Sequence, residues 1–196
     1  MKTLKDKVIV ITGASSGIGE AMAREYAARG AKVVLGARSV QKLQLLAGEI
    51  RRHGGQAAYC GVDVTRPEEC RGLIDTAVRE FGGLPYLQRA KGSIVGVSSV
   101  AGLHGLPGRT GYSASKYAMT GFLETLRIEN LRKGLHVMIA CPGFTASNVR
   151  FSALTADGSQ QGETPRDESK MMTPVEVARI VERGILRRKR LCLMEA

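Results

Sequence analysis

A β-branched run, Val8-Ile9-Val10-Ile11, leads straight into Thr12-Gly13-Ala14-Ser15-Ser16-Gly17-Ile18-Gly19, and a helical stretch follows as far as Arg29. A strand, a glycine turn and a helix N-terminus together leave few folds open. They also make an anion cradle, because the backbone N–H groups of the turn and the positive end of the helix dipole face the same way. Gly13 suits the tight turn, Gly17 lets the chain approach a diphosphate, and Gly19 lets helix and strand pack closely. Glycines alone would fit an ordinary βα turn as well. The strand before them and the Ile18/Met22/Tyr26 stripe after them favour nucleotide binding.

The rest of the chain keeps alternating. Lys32–Ala37 reads as a strand, Val40 to about His53 as a helix and Ala57–Val64 as a third strand. Pro67 opens a helix that stops after Phe81 at Gly82-Gly83. Ser93–Ser99 reads as a strand, a long helix runs from near Thr110 to Lys133-Gly134, and His136–Cys141 is a strand ended by Pro142-Gly143. Phe144 to Thr173 is polar and irregular, the composition of a lid, before a helix at Pro174–Leu186 and a terminal strand at Arg190–Met194. This alternation implies an α/β fold: a Rossmann-like, doubly wound parallel sheet in three α/β/α layers. At 196 residues the chain is sized for one such domain spanning 1–196.

Composition removes several function classes. No apolar run approaches the ~20 residues that span a membrane, and the charged start, Met1 to Lys7, does not resemble a secretory leader. Cytoplasmic residence is therefore the expectation. Cys60, Cys70, Cys141 and Cys192 are scattered and read as small buried thiols, and His53, His104 and His136 are isolated, so no metal site is expected. A formal charge of +11 raises nucleic-acid binding as an alternative. Most of the excess is dispersed, however, and the dense run Arg187-Arg188-Lys189-Arg190 ends a helix, where cations offset the dipole. With 5% aromatic residues and no recognisable module, the charge reads as solubility and attraction for a polyanionic cofactor, not nucleic acid.

Two further patterns bear on chemistry. The second strand ends Gly36-Ala37-Arg38, with no acidic residue to hold a ribose 2′-OH and an arginine able to pair with a 2′-phosphate. NADP(H) is thereby favoured over NAD(H). Tyr112-Ser113-Ala114-Ser115-Lys116 puts a phenol and an ammonium one turn apart on the long helix. A neighbouring cation stabilises a phenolate, which lets a tyrosine exchange a proton near neutrality. Ser99 closes a strand whose C-terminal end should face the same crevice, where its hydroxyl can bind a carbonyl oxygen. Singly, each has a plainer reading: Tyr/Lys pairs are common on solvated helices, Arg38 can be a surface charge, and Ser98-Ser99 can start a turn.

Together, the T-G-x-x-x-G-x-G turn, Gly92-Ser93-Ile94-Val95-Gly96-Val97-Ser98-Ser99-Val100-Ala101-Gly102, the Y-x-x-x-K of Tyr112 and Lys116, and Cys141-Pro142-Gly143-Phe144-Thr145-Ala146-Ser147 resemble the short-chain dehydrogenase/reductase family. The likeness is strongest to its hydroxysteroid-dehydrogenase-like members and covers nearly the whole chain in the family's order. It implies hydride transfer between NADP(H) and a small-molecule carbonyl or secondary alcohol. Tyr112 would be the general acid/base, Lys116 would lower its pKa and hold the nicotinamide ribose, and Ser99 would position the substrate oxygen. By the same resemblance Gly13, Ser15, Gly17, Ile18 and Gly19 line the phosphates, Arg38 the 2′-phosphate, and Asp63-Val64 the adenine. Pro142, Gly143 and Thr145 lie beside the nicotinamide. Ser147 stands where the family often has threonine. Phe144, Phe151, Leu154, Met171 and Met172 fit an apolar lid or plain packing.

One stretch departs from the family. After Phe81 the family continues with a strand ending N-N-A-G and a long helix bearing a catalytic Asn, but here Gly82–Lys91 runs directly to the strand carrying Ser99. No Asn occurs between the glycine turn and that strand. In the family's strand order the absent strand separates the glycine-turn strand from the Ser99 strand. Either its neighbours close up, moving Ser99 and Tyr112 by about one strand spacing, ~4.8 Å, or the gap stays open and two strands keep unpaired edges. Family members commonly dimerise through the absent helix, so the resemblance leaves a homo-oligomer open but without its usual surface, and family members often continue past the position of Ala196 over the substrate site. A nucleotide-binding remnant without turnover is accordingly the alternative to an active oxidoreductase.

Overall fold

The structure, a computed structural model, describes residues 3–82, 87–146, 158–160, 162 and 171–194. Its elements follow in the order β1 (Val8–Thr12), α1 (Gly17–Ala28), β2 (Lys32–Ala37), α2 (Val40–Arg52), β3 (Gln56–Gly61), α3 (Pro67–Phe81), β4 (Ser93–Val97), α4 (Thr110–Glu129), β5 (His136–Cys141), α5 (Pro174–Leu186) and β6 (Leu191–Leu193). All strand pairings are parallel. This is the expected α/β architecture of Rossmann type, with helices packed on parallel sheets. Among the described residues no helix is long and apolar enough to cross a membrane.

Several boundaries are tighter than the sequence predicts, among them β6, which runs from Leu191 to Leu193 and not from Arg190 to Met194. β3 ends at Gly61 and not at Val64, because Asp63 turns the chain: its carboxylate accepts the Thr65 N–H at 3.0 Å and the Thr65 hydroxyl at 2.8 Å. β4 stops at Val97, and Ser99 caps a 3-10 turn at Val100–Gly102. α4 gives way at Asn130 to a second 3-10 turn, Leu131–Lys133. There the buried Asn130 side chain donates to Leu126 O at 2.8 Å and accepts from Gln88 at 2.7 Å.

The chain folds as two compact units. One holds β1–β3 with α1–α3, its sheet in the order β1-β2-β3. β2 is buried from Val33 to Ala37, as an all-apolar strand covered on both faces should be. Leu73 and Ala77 of α3 pack on Val34, Ala58 and Val62, with Val8 and Val10 at the margin. Tyr26 of α1 is 2% exposed, and its hydroxyl donates to Ala178 O at 3.0 Å, so the polar end of a core ring is satisfied.

The other unit holds β4–β6 with α4, its sheet in the order β4-β5-β6. β5 is buried at every position. Leu123 of α4 packs with Leu135, Val137, Ile139 and Cys141. On the opposite face of β5, Gly184 of α5 approaches Met138 and Cys192 so closely that a Cβ would lie 2.7 Å from the Met138 sulfur.

Among the described residues β1 is hydrogen-bonded to β2 alone and β4 to β5 alone. β4 is half-buried throughout and β1 half-buried from Val8 to Val10, although both carry the β-branched composition of interior strands.

The basic run near the end of the chain is engaged in holding β6. Arg188 donates to Lys91 O at 3.1 Å and Gly134 O at 2.7 Å, while Arg190 makes two bonds to the Glu124 carboxylate at 2.9 and 2.8 Å. His136 lies 2.9 Å from Lys189 O through Nε2 and 2.9 Å from the Ser93 hydroxyl through Nδ1. A carbonyl only accepts, so Nε2 carries the proton and Nδ1 takes the Ser93 hydrogen: a neutral ring. Burial lowers the His136 pKa, and the charge of Arg188 adds to the effect. Its contribution to stability is therefore present in full above the unfolded value of 6.5 and is lost as pH falls through the lower folded value. Thermal unfolding midpoints should drop between pH 7 and 5, and His136→Gln should flatten that slope; an unchanged slope would show that the drop arises elsewhere.

Candidate active site

The glycine turn is built as the sequence requires. Gly13 has φ +66°, and Ala14 N–H donates to Gly36 O at 3.1 Å, tying the turn to β2. A Cβ on Gly19 would overlap the Gly13 carbonyl, so the first turn of α1 packs on the loop only because that residue has none. α1 starts at Gly17 behind an extended Ser16 whose side chain caps nothing. The first N–H groups of the helix thus have no capping side chain and no intrahelical acceptor. That is a positive, uncapped cradle, which fits a phosphate.

Arg38, exposed, follows the last residue of β2, and Asp63 and Val64 follow β3. The Asp63 carboxyl is held below the usual carboxylate range, first by the Thr65 N–H, then by its hydroxyl, with smaller help from Arg38 and Arg66. Arg38 and Asp63 are thus electrostatic neighbours. Gly13, Ser15, Gly17, Ile18, Gly19, Arg38, Asp63 and Val64 all stand at the carboxyl ends of β1–β3, the edge where parallel sheets bind ligands.

The other unit gathers the remaining candidates at the carboxyl ends of its own strands. Beyond Val97 the β4–β5 ladder continues through Ser98 N–H to Ala140 O at 2.8 Å and Val100 N–H to Pro142 O at 3.2 Å, which sets Ser99 alongside Cys141 and Pro142. Ser99 Oγ accepts the Ala101 N–H at 3.2 Å and is 9% exposed. Its own proton remains available to a carbonyl oxygen. On α4, the Lys116 ammonium sits 5.7 Å from the centroid of the Tyr112 ring and donates to Val97 O at 3.3 Å. Tyr112 is 45% exposed, and among the described residues its hydroxyl has no partner. Thr145 is buried, its hydroxyl donating to Gly143 O at 3.3 Å. Burial raises the Cys141 thiol pKa, an inert neighbour for this chemistry. Of the apolar lid candidates, Phe144 is exposed, Met171 half-buried and Met172 buried, while Phe151 and Leu154, and Ser147 beside them in sequence, lie outside the described residues.

Each unit therefore assembles its own share: the residues expected to hold the adenine and phosphates in one, Ser99, Tyr112, Lys116, Pro142, Gly143 and Thr145 in the other. Sequence reasoning passed over Ser98 and Thr120, whose hydroxyls both reach the Lys116 carbonyl, at 3.3 and 3.0 Å. The available signals were the Ser98-Ser99 doublet and a threonine one turn beyond Lys116.

The family model for short chain dehydrogenase matches residues 7–87 and 83–157. The chain belongs to the short-chain dehydrogenase/reductase family. The model matches in two pieces that meet at 83–87, where the sequence shows the absent segment. An uncharacterized oxidoreductase of Listeria innocua is 32% identical over 227 residues, covering 93% of this chain and 92% of its own. That alignment is longer than the 196 residues of this chain, so the relative carries residues without a counterpart here. An 11-beta-hydroxysteroid dehydrogenase-like protein 4A of Arabidopsis thaliana is 32% identical, covering 93% of this chain and 74% of its own. Among solved structures, a short chain dehydrogenase/reductase of Burkholderia phymatum in complex with NAD superposes with a TM-score of 0.87 at 22% identity, covering 98% and 90% of the two chains. A short-chain dehydrogenase of Sphingobium yanoikuyae in complex with NADPH gives 0.75 at 23%, covering 95% and 87%.

Gly19→Ala should lower stability by about 1–3 kcal/mol through overpacking, read as a lower thermal midpoint. Gly48→Ala, in open space on α2, should instead raise it, by up to about 1 kcal/mol. Equal effects of the two would show that Gly19 is not sterically required.

Proposed function

We propose that the protein is an NADP(H)-dependent oxidoreductase acting on a carbonyl or secondary alcohol, working as one nucleotide-binding domain over residues 1–196 in the cytoplasm. The observation that carries this reading is the grouping at the ends of β4 and β5: a phenol whose hydroxyl has no partner among the described residues, an ammonium against its ring, and a serine whose proton has no acceptor among them. Bound NADP(H) supplies or accepts the hydride. In the reducing direction Tyr112 Oη gives its proton to the substrate oxygen, Ser99 Oγ–H donates a hydrogen bond to that oxygen as it gains negative charge, and the Lys116 ammonium stabilises the phenolate left behind. Oxidation runs the same transfers backwards.

Gly13, Ser15, Gly17, Ile18 and Gly19 would hold the diphosphate on the N–H groups of the turn and of the α1 N-terminus. Arg38 would pair with the 2′-phosphate, Asp63 and Val64 would border the adenine, and Pro142, Gly143 and Thr145 would border the nicotinamide. Support for NADP(H) over NAD(H) comes from the exposed Arg38 and from Ala37 standing where a carboxylate would repel that phosphate. The substrate is a small molecule, with no role for nucleic acid.

A second reading has its own observation. Among the described residues β1 and β4 each pair with one strand, and a displacement of ~1 Å can cost about 100-fold in rate. On that reading the protein binds nucleotide and does not turn over.

NADPH oxidation measured over a panel of ketones and aldehydes separates the two. The first expects turnover that falls about 100- to 10,000-fold in Tyr112→Phe, whereas the second expects NADPH to raise the thermal midpoint with no oxidation at all. For the cofactor, Arg38→Glu should weaken NADPH binding roughly 10- to 100-fold, the loss of a charge-assisted bond, and leave NADH unaffected or tighter. Equal losses for both nucleotides would contradict the assignment of Arg38.

A further inference from the structure

We propose that Ser98 and Thr120 are positioning residues that clamp the main-chain carbonyl of Lys116 and so fix where its ammonium stands. The proposal rests on the reading of Lys116 given above. Three successive residues leaving β4 take hold of this one lysine and its surroundings. Val97 O accepts the Lys116 ammonium at 3.3 Å, Ser98 Oγ donates to the Lys116 carbonyl at 3.3 Å, and Ser99 turns the chain into the 3-10 turn. From within α4, Thr120 Oγ1 donates to the same carbonyl at 3.0 Å. The two hydroxyls lie 3.5 Å apart, so the single Ser98 proton is directed either to the carbonyl or to Thr120, and both routes end on the same helical turn.

The knot is closed from a third side. A Cβ on Gly102 would lie 2.6 Å from Ser98 Oγ and 2.9 Å from the Lys116 carbonyl oxygen, so the backbone of the 3-10 turn rests directly on it. Ser98 is 5% exposed, which makes its hydroxyl expensive to bury unless it is bonded. An alanine there would have filled the space without a polar requirement.

α4 has other anchors, the Glu124–Arg190 pair, the Tyr117 hydroxyl donating to Leu103 O at 2.6 Å, and Leu123 with Met119 and Leu126 on the core, and none of them bonds the main chain at Lys116. Of its twenty residues only Ser113 and Leu123 are buried. Apolar packing is non-directional and does not by itself fix the register of a helix on its sheet. Tyr112 and Lys116 sit toward the N-terminal end of α4, and a lysine with four rotatable bonds would carry any shift into its ammonium. Hydrogen bonds are directional, and two of them converging on one carbonyl set both the depth and the register of the helix at the residue where chemistry needs it.

The test compares binding of NADPH with binding of adenosine 2′,5′-bisphosphate, which lacks the nicotinamide ribose that Lys116 would hold. Thr120→Val and Ser98→Ala should each weaken NADPH about threefold to tenfold, the range of one hydrogen bond, and leave the bisphosphate unchanged. Thr120→Ser should restore NADPH binding. In a Lys116→Met background neither substitution should weaken NADPH further, because the clamp acts only through that side chain. Losses that are equal for the two nucleotides, or that persist undiminished beside Lys116→Met, would overturn the proposal and leave the hydroxyls a purely structural role. Thermal unfolding checks that each variant is folded, and the near-isosteric Thr120 pair decides the matter if Ser98→Ala does not fold. If the unaltered protein binds the bisphosphate but not NADPH, the reading of Lys116 fails first and this proposal falls with it. That result is distinct from normal NADPH binding that the Thr120 and Ser98 substitutions leave untouched.

Discussion

A strand buried in a parallel sheet must find a hydrogen-bonding neighbour on each side, and among the described residues β2 and β5 do so while β1, β3, β4 and β6 each pair on one side. Everything else in the fold is arranged around that fact. β2 and β5 are the buried axes of two three-stranded sheets, each with its own apolar core, and the helices cover those axes. β1 and β4 remain half-buried, which lets water satisfy edge groups that would otherwise cost about 1–3 kcal/mol each if sealed away unpaired. The two-piece family match meeting at 83–87 gives the same constraint from the side of descent.

Within that constraint the chemistry-bearing residues keep to one rule of parallel sheets: they follow the carboxyl ends of strands. Gly13, Arg38 and Asp63 do so in one sheet, Ser99 and Pro142 in the other. Local bonds, and not the wider sheet, hold each group. Gly36 O anchors the glycine turn, Ala140 O and Pro142 O carry the chain through Ser99, and Val97 O takes the Lys116 ammonium. Such short-range bonds hold each group of candidates within its own unit.

How far this was legible in the sequence depended on whether a signal was local. The strand–glycine–helix start, the ends of α2 and α3, and the buried run of β5 follow from periodicity and breakers, and the elements lie where those signals put them. The Tyr112/Lys116 pair was visible because a helix brings i and i+4 together. The early end of β3 was not, since it depends on Asp63 finding Thr65. Nor were the roles of Arg188 and Arg190, whose partners Gly134 and Glu124 are far away in sequence and were hidden behind a plausible dipole explanation.

The most direct measurement follows an isotope. The protein is given NADPH deuterated at the transferable position of C4, together with a reducible ketone or aldehyde, and the products are examined for label. Deuterium at the carbinol carbon of the product alcohol is the expected result. Deuterium retained entirely in the nucleotide, with the protein folded and NADPH bound, would contradict an oxidoreductase and leave only a nucleotide-binding fold.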